Sequence, residues 1–201
     1  MKIVNNSIHI DSRLNAEEIM ENIEKAGRTC YKSESKITPD SSSTFVRNII
    51  LRGHESVLEH ESITIRIICD RGISHELVRH RIASYSQEST RYCDYKGDIE
   101  FINPHPHISD ESDEYMIWID AMQSAENAYV TLREVGVPPQ LARNVLPNSL
   151  KTEIVVTMNL RSWRHFLILR TAKAAHPQMR EIAGKIQELL RILLPAVFGD
   201  I

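Results

Sequence analysis

The chain has 201 residues, of which 42% are hydrophobic and 25% are charged, and its formal net charge at pH 7 is −3. This composition is typical of a soluble globular protein with a substantial core. Proteins that bind the backbone of nucleic acids usually carry a strong basic excess, so the charge argues against such a partner. The three cysteines lie far apart without a CxxC pair, which indicates neither a disulfide framework nor a zinc site.

The N-terminus is too short and too polar for a signal peptide, and no apolar run approaches ~18 residues. We therefore expect a cytoplasmic protein without a membrane span.

Hydrophobic periodicity predicts the elements of the first half of the chain. Residues 3–10 alternate between apolar and polar and predict one strand, and Ala16–Ala26 predicts a helix. After a polar loop, a second helix is expected to carry Phe45, Val46, Ile49 and Ile50. The β-branched stretch Ser62–Cys69 predicts a strand. Gly72 then begins a short helix that leads to Arg79–Arg81.

The second half is predicted to be mostly helical. A long helix from about Glu111 to Val135 has an apolar stripe, and Pro138-Pro139 begins a shorter helix through Leu146. A strand over Thr152–Met158 precedes helices over 162–173 and 177–194. The stripe of the long helix, expected to be core or subunit interface, comprises Tyr115, Trp118, Met122, Ala125, Tyr129 and Leu132. The expected fold is α+β: a single compact domain over 1–201, with a small mixed or antiparallel sheet packed by long helices.

The densest polar segment is RHRIASYSQESTRY, which begins with Arg79, His80 and Arg81 and continues through Ser89. Arginine matches phosphate oxygens two at a time, and the hydroxyls and amides that follow can bind the rest of a polar ligand. The segment therefore indicates a small anionic ligand. A helix through these residues would place Glu76, Arg79 and His80 near one face, where a solvated ion-pair surface is the alternative.

The segment RSWRHFLILRTA predicts a helix with two distinct faces. Arg161 and His165 share one face, while Arg170 falls on the apolar stripe that contains Trp163 and Phe166. A buried guanidinium needs an anionic or carbonyl partner. A ligand could be that partner, or the long stem could reach water or a structural carboxylate. The sequence leaves both readings open.

These segments together resemble the flavin-dependent thymidylate synthases. Arg79, His80, Arg81 and Ser89 fit the RHR-x7-S signature of that family. GHESVLEH at 53–60, ARNVLP at 142–147 and MNLRSWRHFLILR at 158–170 resemble other segments of the family, in the same order and at fitting distances. An RHR run alone is weak evidence for the family. Four segments in the same order, over most of residues 50–182, are strong evidence.

The resemblance implies that the chain makes dTMP from dUMP. The methylene carbon would come from methylenetetrahydrofolate and the reducing equivalents from NADPH through FAD. It also implies a homotetramer with sites shared between subunits, and no metal. The implied FAD contacts are His54, Ser56, Arg79, His80, Arg81, Gln87, Asn159, Arg161 and His165. The implied dUMP contacts are Glu76, Arg79, Gln87, Glu88, Ser89, Thr90, Arg91, Arg143 and Arg170.

Arg170 matches the catalytic arginine that stabilises ionisation of the uracil at N3, which explains a cation on an apolar stripe. Ser89 is assigned to substrate binding, because no activating base is adjacent in the motif.

The chain departs from the family pattern at several positions. Glu76 and Gln87 stand where some members have Gln and Glu, and His165 stands where some have Asn. Glu88 adds a negative charge to a loop that is expected to hold a nucleotide phosphate. It could point outward or weaken binding.

Two other functions are alternatives to the enzyme. A nucleic-acid-binding module is disfavoured by the acidic net charge and by the lack of interleaved aromatic residues. A hydrolase that uses Ser84, Ser86 or Ser89 with His80 would need a G-x-S-x-G elbow or an equivalent, which the sequence lacks. His105 and His107, between prolines, are interpreted as surface or packing residues.

Overall fold

In a computed structural model, which describes residues 1–95, 97 and 99–201, helices account for 52% and strands for 17% of the chain. The predicted α+β class is therefore confirmed. The strands are β1 Lys2–Val4, β2 Ser7–Ile10, β3 Ser62–Asp70, β4 Ser84–Gln87, β5 Glu100–Ile102 and β6 Lys151–Asn159. The helices are α1 Ala16–Tyr31, α2 Ser41–Leu51, α3 Arg71–Leu77, α4 Asp113–Glu134, α5 Pro139–Ala142, α6 Leu160–Arg170, α7 Pro177–Leu193 and α8 Pro195–Phe198. Short 3₁₀ segments cover Glu34–Lys36, Glu55–His60 and Arg143–Val145.

Among the described residues, the strands form a two-stranded sheet, β1-β5, and a four-stranded sheet in the order β2-β3-β6-β4. The β1-β5 pair is parallel, with Ile3 opposite Phe101. In β3 and β6 every second residue is buried. The alternation arises because successive side chains of a strand point to opposite faces. The alternating buried residues are Ile63, Ile65, Ile67 and Cys69 in β3 and Thr152, Ile154, Val156 and Met158 in β6; Asp70, the last residue of β3, is buried as well.

Both long strands end in a residue that caps the following helix. Asp70 Oδ1 accepts a hydrogen bond from the Ile73 amide at 2.7 Å and begins α3. Asn159 Oδ1 accepts from the Ser162 amide at 2.8 Å and begins α6. Short polar side chains satisfy amide groups that have no partner within the first turn of a helix. The caps fix where the two helices begin, and these helices lead to the residues implied to bind ligands.

The contacts divide the chain into two compact units. The first unit comprises Met1–Ser7, Arg66–His80 and Tyr85–Val155. Its core contains Phe101, Met122 and Tyr129, with Trp118 and Leu132 packed against them. The predicted stripe of the long helix is therefore confirmed as core at these α4 positions.

The second unit comprises Ile8–Ile65, Arg81–Ser84 and Val156–Ile201. Here α1 packs on α2, and α6 packs on α7. The fully buried residues include Ile23 of α1, Val46 of α2 and Trp163 of α6. This unit is thus held together mainly by helix-on-helix packing.

Two predicted elements were wrong in detail. Residues 3–10 form two strands in different sheets, because β1 pairs with β5 while β2 belongs to the four-stranded sheet. The helix before the three cations ends at Leu77, so Glu76, Arg79 and His80 do not share a helix face.

Candidate functional site

The three cations of the RHR run lie on a turn after α3. The Tyr85 hydroxyl donates to the carbonyl oxygens of Leu77 at 2.8 Å and His80 at 2.7 Å. A continuing helix would have used the Leu77 carbonyl for the Arg81 amide, so Tyr85 stabilises the end of the helix instead. Burial raises the pKa of Tyr85 to about 12, which keeps this donor protonated at neutral pH.

Arg79 and Arg81 present their guanidinium groups to solvent. Both side chains are exposed, and neither has a hydrogen-bond or ion-pair partner among the residues that the structure describes. His80, between them, is half-buried and interacts with other residues of the chain. Exposed arginines without a partner carboxylate are available to an anionic ligand.

Gln87 is anchored by its amide nitrogen. Nε2 donates to Ser74 Oγ at 2.8 Å and to Thr152 Oγ1 at 3.1 Å. These bonds connect the end of β4 to α3 and β6 within the first unit. They orient Gln87 and thereby fix the start of the polar loop that follows, Gln87–Arg91, which we call the substrate loop.

The substrate loop then forms a tight turn around Ser89. Ser89 Oγ accepts from the Arg91 amide at 3.3 Å, and the Ser89 carbonyl accepts from the amides of Tyr92 and Cys93 at 3.1 and 2.9 Å. The hydroxyl thus stabilises the turn. No described histidine or carboxylate bonds to it, so the geometry gives no support to a serine nucleophile.

We expect Ser89→Ala to retain measurable turnover of dUMP, because the hydroxyl stabilises a turn and is predicted to bind substrate, not to attack it. The measurement is steady-state dTMP formation together with the dissociation constant for dUMP. Complete inactivity with normal dUMP binding would instead identify Ser89 as a nucleophile.

Arg143 and Thr90 meet although they are 53 residues apart in sequence. Arg143 Nη1 donates to Thr90 Oγ1 at 3.0 Å, and Thr90 is buried. Arg143 begins the 3₁₀ segment after α5, which starts with a proline at its first position. Two segments that were separately expected to bind the nucleotide are therefore brought together in the first unit.

Glu88 does not stand as an unpaired charge in this loop. Its carboxylate accepts from the Tyr95 hydroxyl at 2.6 Å and pairs with Lys151 Nζ at 3.2 Å. The sequence did not decide whether this side chain points toward the ligand or outward. In the structure it is bound to Tyr95 and Lys151 of the first unit. Glu76 is half-buried near the end of α3.

The second unit holds a cleft of about 730 Å³ between α1, α2 and the Glu55–His60 segment. His54 and Ser56, both expected to contact FAD, line it. His54 Nδ1 is 3.2 Å from the hydroxyl of Tyr31, at the end of α1. The structure therefore places these two residues at a cavity.

The cleft also contains residues that were not predicted from the sequence. Lys36 and Arg52 line it, and neither side chain has a partner among the described residues. Arg28, by contrast, is paired with Glu24 at 2.7 Å and lies 4.5 Å from the centre of the Phe45 ring. The one available signal was the position of Arg52, immediately before the GHESVLEH segment.

Unpaired cations beside apolar walls suit a ligand that carries both phosphates and an aromatic ring system. Phe45, Ile49 and Val57 supply apolar wall in this cleft. Arginine and lysine supply charge for phosphate. The residues present therefore fit a flavin dinucleotide. The described part of the chain contains no group of three or more His, Cys, Asp or Glu residues arranged to hold a metal ion.

Helix α6 exposes Arg161 and His165 on one face, as the periodicity predicted. Arg161 Nη1 is 2.5 Å from Glu59 Oε1, which connects α6 to the Glu55–His60 segment. Asn159 uses its Oδ1 to cap α6.

The fully buried arginine of α6 is Arg164, which was not singled out from the sequence. Arg164 is 4% exposed, and its guanidinium pairs with Asp200 at 2.6 Å and with Glu55 at 3.3 Å. Arg170 is the last residue of the helix and is half-buried, beyond the fully buried Trp163 and Phe166. Its half-burial is compatible with both readings that the sequence left open, a bound partner or a stem that reaches water.

Among the described residues, none of the helices combines the length and apolar character that a membrane span requires.

Comparison with known proteins identifies relatives over most of the chain. The family model described as thymidylate synthase complementing protein matches residues 14–196. A flavin-dependent thymidylate synthase of Geobacter sulfurreducens is 40% identical over 183 residues, which cover 87% of this chain and 78% of that protein. One from Mycolicibacterium gilvum is 39% identical over 197 residues, covering 89% and 78%.

A solved structure has a similar fold. It is a UMP/dUMP methylase, PolB, from Streptomyces cacaoi bound with 5-Br dUMP. Its TM-score is 0.84 at 23% identity, with 99% of this chain and 96% of that chain covered.

Proposed function

This chain belongs to the flavin-dependent thymidylate synthase family, and we propose that it converts dUMP to dTMP. The carbon donor is methylenetetrahydrofolate, and NADPH is the reductant through FAD. The observation that carries the proposal is the hydrogen bond between Arg143 and Thr90. This bond connects the Arg143 guanidinium to the substrate loop. The family resemblance implies, separately for each of these two segments, that they contact the nucleotide.

The substrate loop and Arg143 supply the groups that a nucleotide phosphate needs. Arg143 uses Nη1 for Thr90 and retains other N–H donors. The turn at Ser89 positions the Arg91 side chain at the surface. Arginine donors in a fixed arrangement bind phosphate oxygens through charge-assisted hydrogen bonds. The first unit therefore supports the assignment of dUMP to this loop.

The cleft of the second unit supports the assignment of FAD. Lys36 and Arg52 would face its phosphates, and His54 and Ser56 would provide polar contacts. When bound, the flavin supplies the hydride chemistry of the reaction. The protein binds and orients, and the cleft accordingly needs no nucleophile.

Arg170 is proposed as the residue that polarises the substrate. A guanidinium beside the uracil imide favours the anion that forms when the proton at N3 is lost. Half-burial strengthens such an interaction by reducing the effective dielectric constant around it. The last turn of α6 thus provides the catalytic group, while the earlier turns provide packing.

We also propose that the chain acts as one thymidylate synthase domain over 1–201, in a cytoplasmic homotetramer with shared sites and without nucleic-acid or membrane partners. Exposed apolar side chains support assembly: Met116 and Ile117 on α4, and Ile168 and Leu169 on α6. Exposed apolar side chains are the groups that assembly would cover.

The test is dUMP-dependent NADPH oxidation by purified protein with FAD and methylenetetrahydrofolate. We expect a yellow protein, or one that becomes yellow on reconstitution, and oxidation that depends on dUMP. A colourless protein that cannot be reconstituted with FAD would overturn the proposal. It would favour the hydrolase or the nucleic-acid-binding module instead.

A further inference from the structure

A row of alternating charges runs through the first unit and ends beside the substrate loop. Lys2 Nζ is 2.7 Å from Glu100 Oε1, and Glu100 Oε2 is 3.7 Å from Lys151 Nζ. Lys151 pairs in turn with Glu88 Oε2 at 3.2 Å, and Glu88 Oε1 accepts from the Tyr95 hydroxyl at 2.6 Å. Each carboxylate in the row therefore has a cation or a hydroxyl on each oxygen.

The inner end of the row is sheltered from water. The side chains of Glu88 and Lys151 are 17% and 20% exposed. Burial, together with the hydrogen bond to Glu88, raises the pKa of Tyr95, so its hydroxyl remains a donor. Ion pairs that are partly withdrawn from solvent are screened less by salt than surface pairs are. The pairing of Glu88 is thus stronger than that of an exposed carboxylate.

A main-chain bond fixes the backbone of the loop at the same residue. The Glu88 amide donates to the Glu153 carbonyl at 2.9 Å. Both Lys151 and Glu153 belong to β6, so main chain and side chain of Glu88 are bound to the same strand. Ser89, the centre of the turn, is the next residue along the chain.

Charge compensation matters at this point because the loop is expected to receive a phosphate. An unpaired carboxylate beside a bound phosphate would repel it. With Glu88 matched by Lys151, its charge no longer opposes the cations at the loop, Arg91 and Arg143. Arg71, whose charge acts on Tyr95, has an Nη1 without a partner among the described residues.

We propose that Lys151 and Tyr95 are positioning residues of the substrate loop. They hold the Glu88 carboxylate against β6 and compensate its charge, so that the turn at Ser89 can accept the phosphate of dUMP. This inference rests on the proposed function, since it assumes that dUMP binds at this loop. It also gives Glu88 a role in placing the loop, in addition to the substrate contact predicted for it.

The experiment measures dUMP binding to FAD-loaded protein by isothermal titration calorimetry, together with kcat. Lys151→Met is expected to weaken dUMP binding about tenfold, because it leaves Glu88 without its counter-charge, while kcat changes less than about twofold. Adding Glu88→Gln to Lys151→Met should restore binding to within about threefold of wild type. Lys25→Met removes a Lys–Glu pair of similar length, 3.3 Å, on α1 and should leave binding unchanged.

The rescue attributes the loss of binding to the uncompensated charge of Glu88, because the double variant still lacks the Lys151 side chain. Unchanged dUMP binding in Lys151→Met, or failure of Glu88→Gln to restore binding, would overturn the positioning role. The proposed function would stand in either case. Absence of dUMP binding by the wild-type protein would overturn the proposed function and the positioning role with it.

Discussion

Arg170→Ala is expected to lower dTMP formation by a factor of about 10²–10³ while the protein retains its FAD absorbance. The reason is that Arg170 is proposed to stabilise a charge that develops on the uracil, whereas the cleft proposed to bind FAD is built from α1, α2 and Glu55–His60. The measurement is the rate of dTMP formation, compared with the visible spectrum of the purified variant.

A control for this variant is Arg180→Ala on α7. Arg180, like Arg170, is a half-buried arginine, and its Nη1 donates to the Lys173 carbonyl at 3.2 Å. We expect it to leave turnover unchanged. If Arg170→Ala instead lost its flavin and regained full turnover on reconstitution, its assignment to the substrate would be contradicted.

Arg164→Met is expected to lower the free energy of unfolding by about 2–3 kcal/mol. It leaves the carboxylates of Glu55 and Asp200 without their buried partner and removes a donor to the Val197 carbonyl. The expected loss is below that of a fully buried pair because the Asp200 side chain is 47% exposed. Urea denaturation followed by circular dichroism measures it.

Arg161→Met provides the matched control on the same helix. Its pair with Glu59 is exposed, so its loss should cost less than about 1 kcal/mol. An equal loss in both variants would contradict the structural role of Arg164.

The effect of Arg164→Met should also depend on pH. Hydrogen bonding to Arg164 holds the pKa of Asp200 below its usual value of 3.8. The contribution of this pair is therefore complete above pH 3.8 and is lost as the pH falls through the lower, folded-state pKa. The difference between wild type and variant should accordingly shrink in acid.

Elements with a strong period were predictable from the sequence, because local side-chain patterns decide them. The strand predicted at Thr152–Met158 extends by one residue at each end, to Lys151–Asn159. The first helix was predicted to stop at Ala26, yet it continues through Gly27 to Tyr31. A glycine stands at position 27 because Phe45 lies so close that a Cβ atom there would be 2.7 Å from the ring. That contact depends on tertiary packing.

The remaining features of the site could not be predicted, because they arise from contacts between residues that are distant in sequence. Helical periodicity placed Arg170 among buried residues, but it could not show that Glu55 and Asp200 would meet Arg164 instead. Likewise, the RHR run was expected on a helix, but the helix ends at Leu77, where the Tyr85 hydroxyl bonds to the carbonyls of Leu77 and of His80 in the following turn. The anchoring of Glu88 by Tyr95 and Lys151 followed from no local pattern.

We propose above all that this chain methylates dUMP and that a reduced flavin supplies the hydride for the reaction. The most direct measurement is mass-spectrometric detection of dTMP after incubating the purified protein with dUMP, methylenetetrahydrofolate, NADPH and FAD. We predict dTMP in the complete mixture and none when FAD has been removed. Stoichiometric recovery of unchanged dUMP from the FAD-loaded protein would contradict the account.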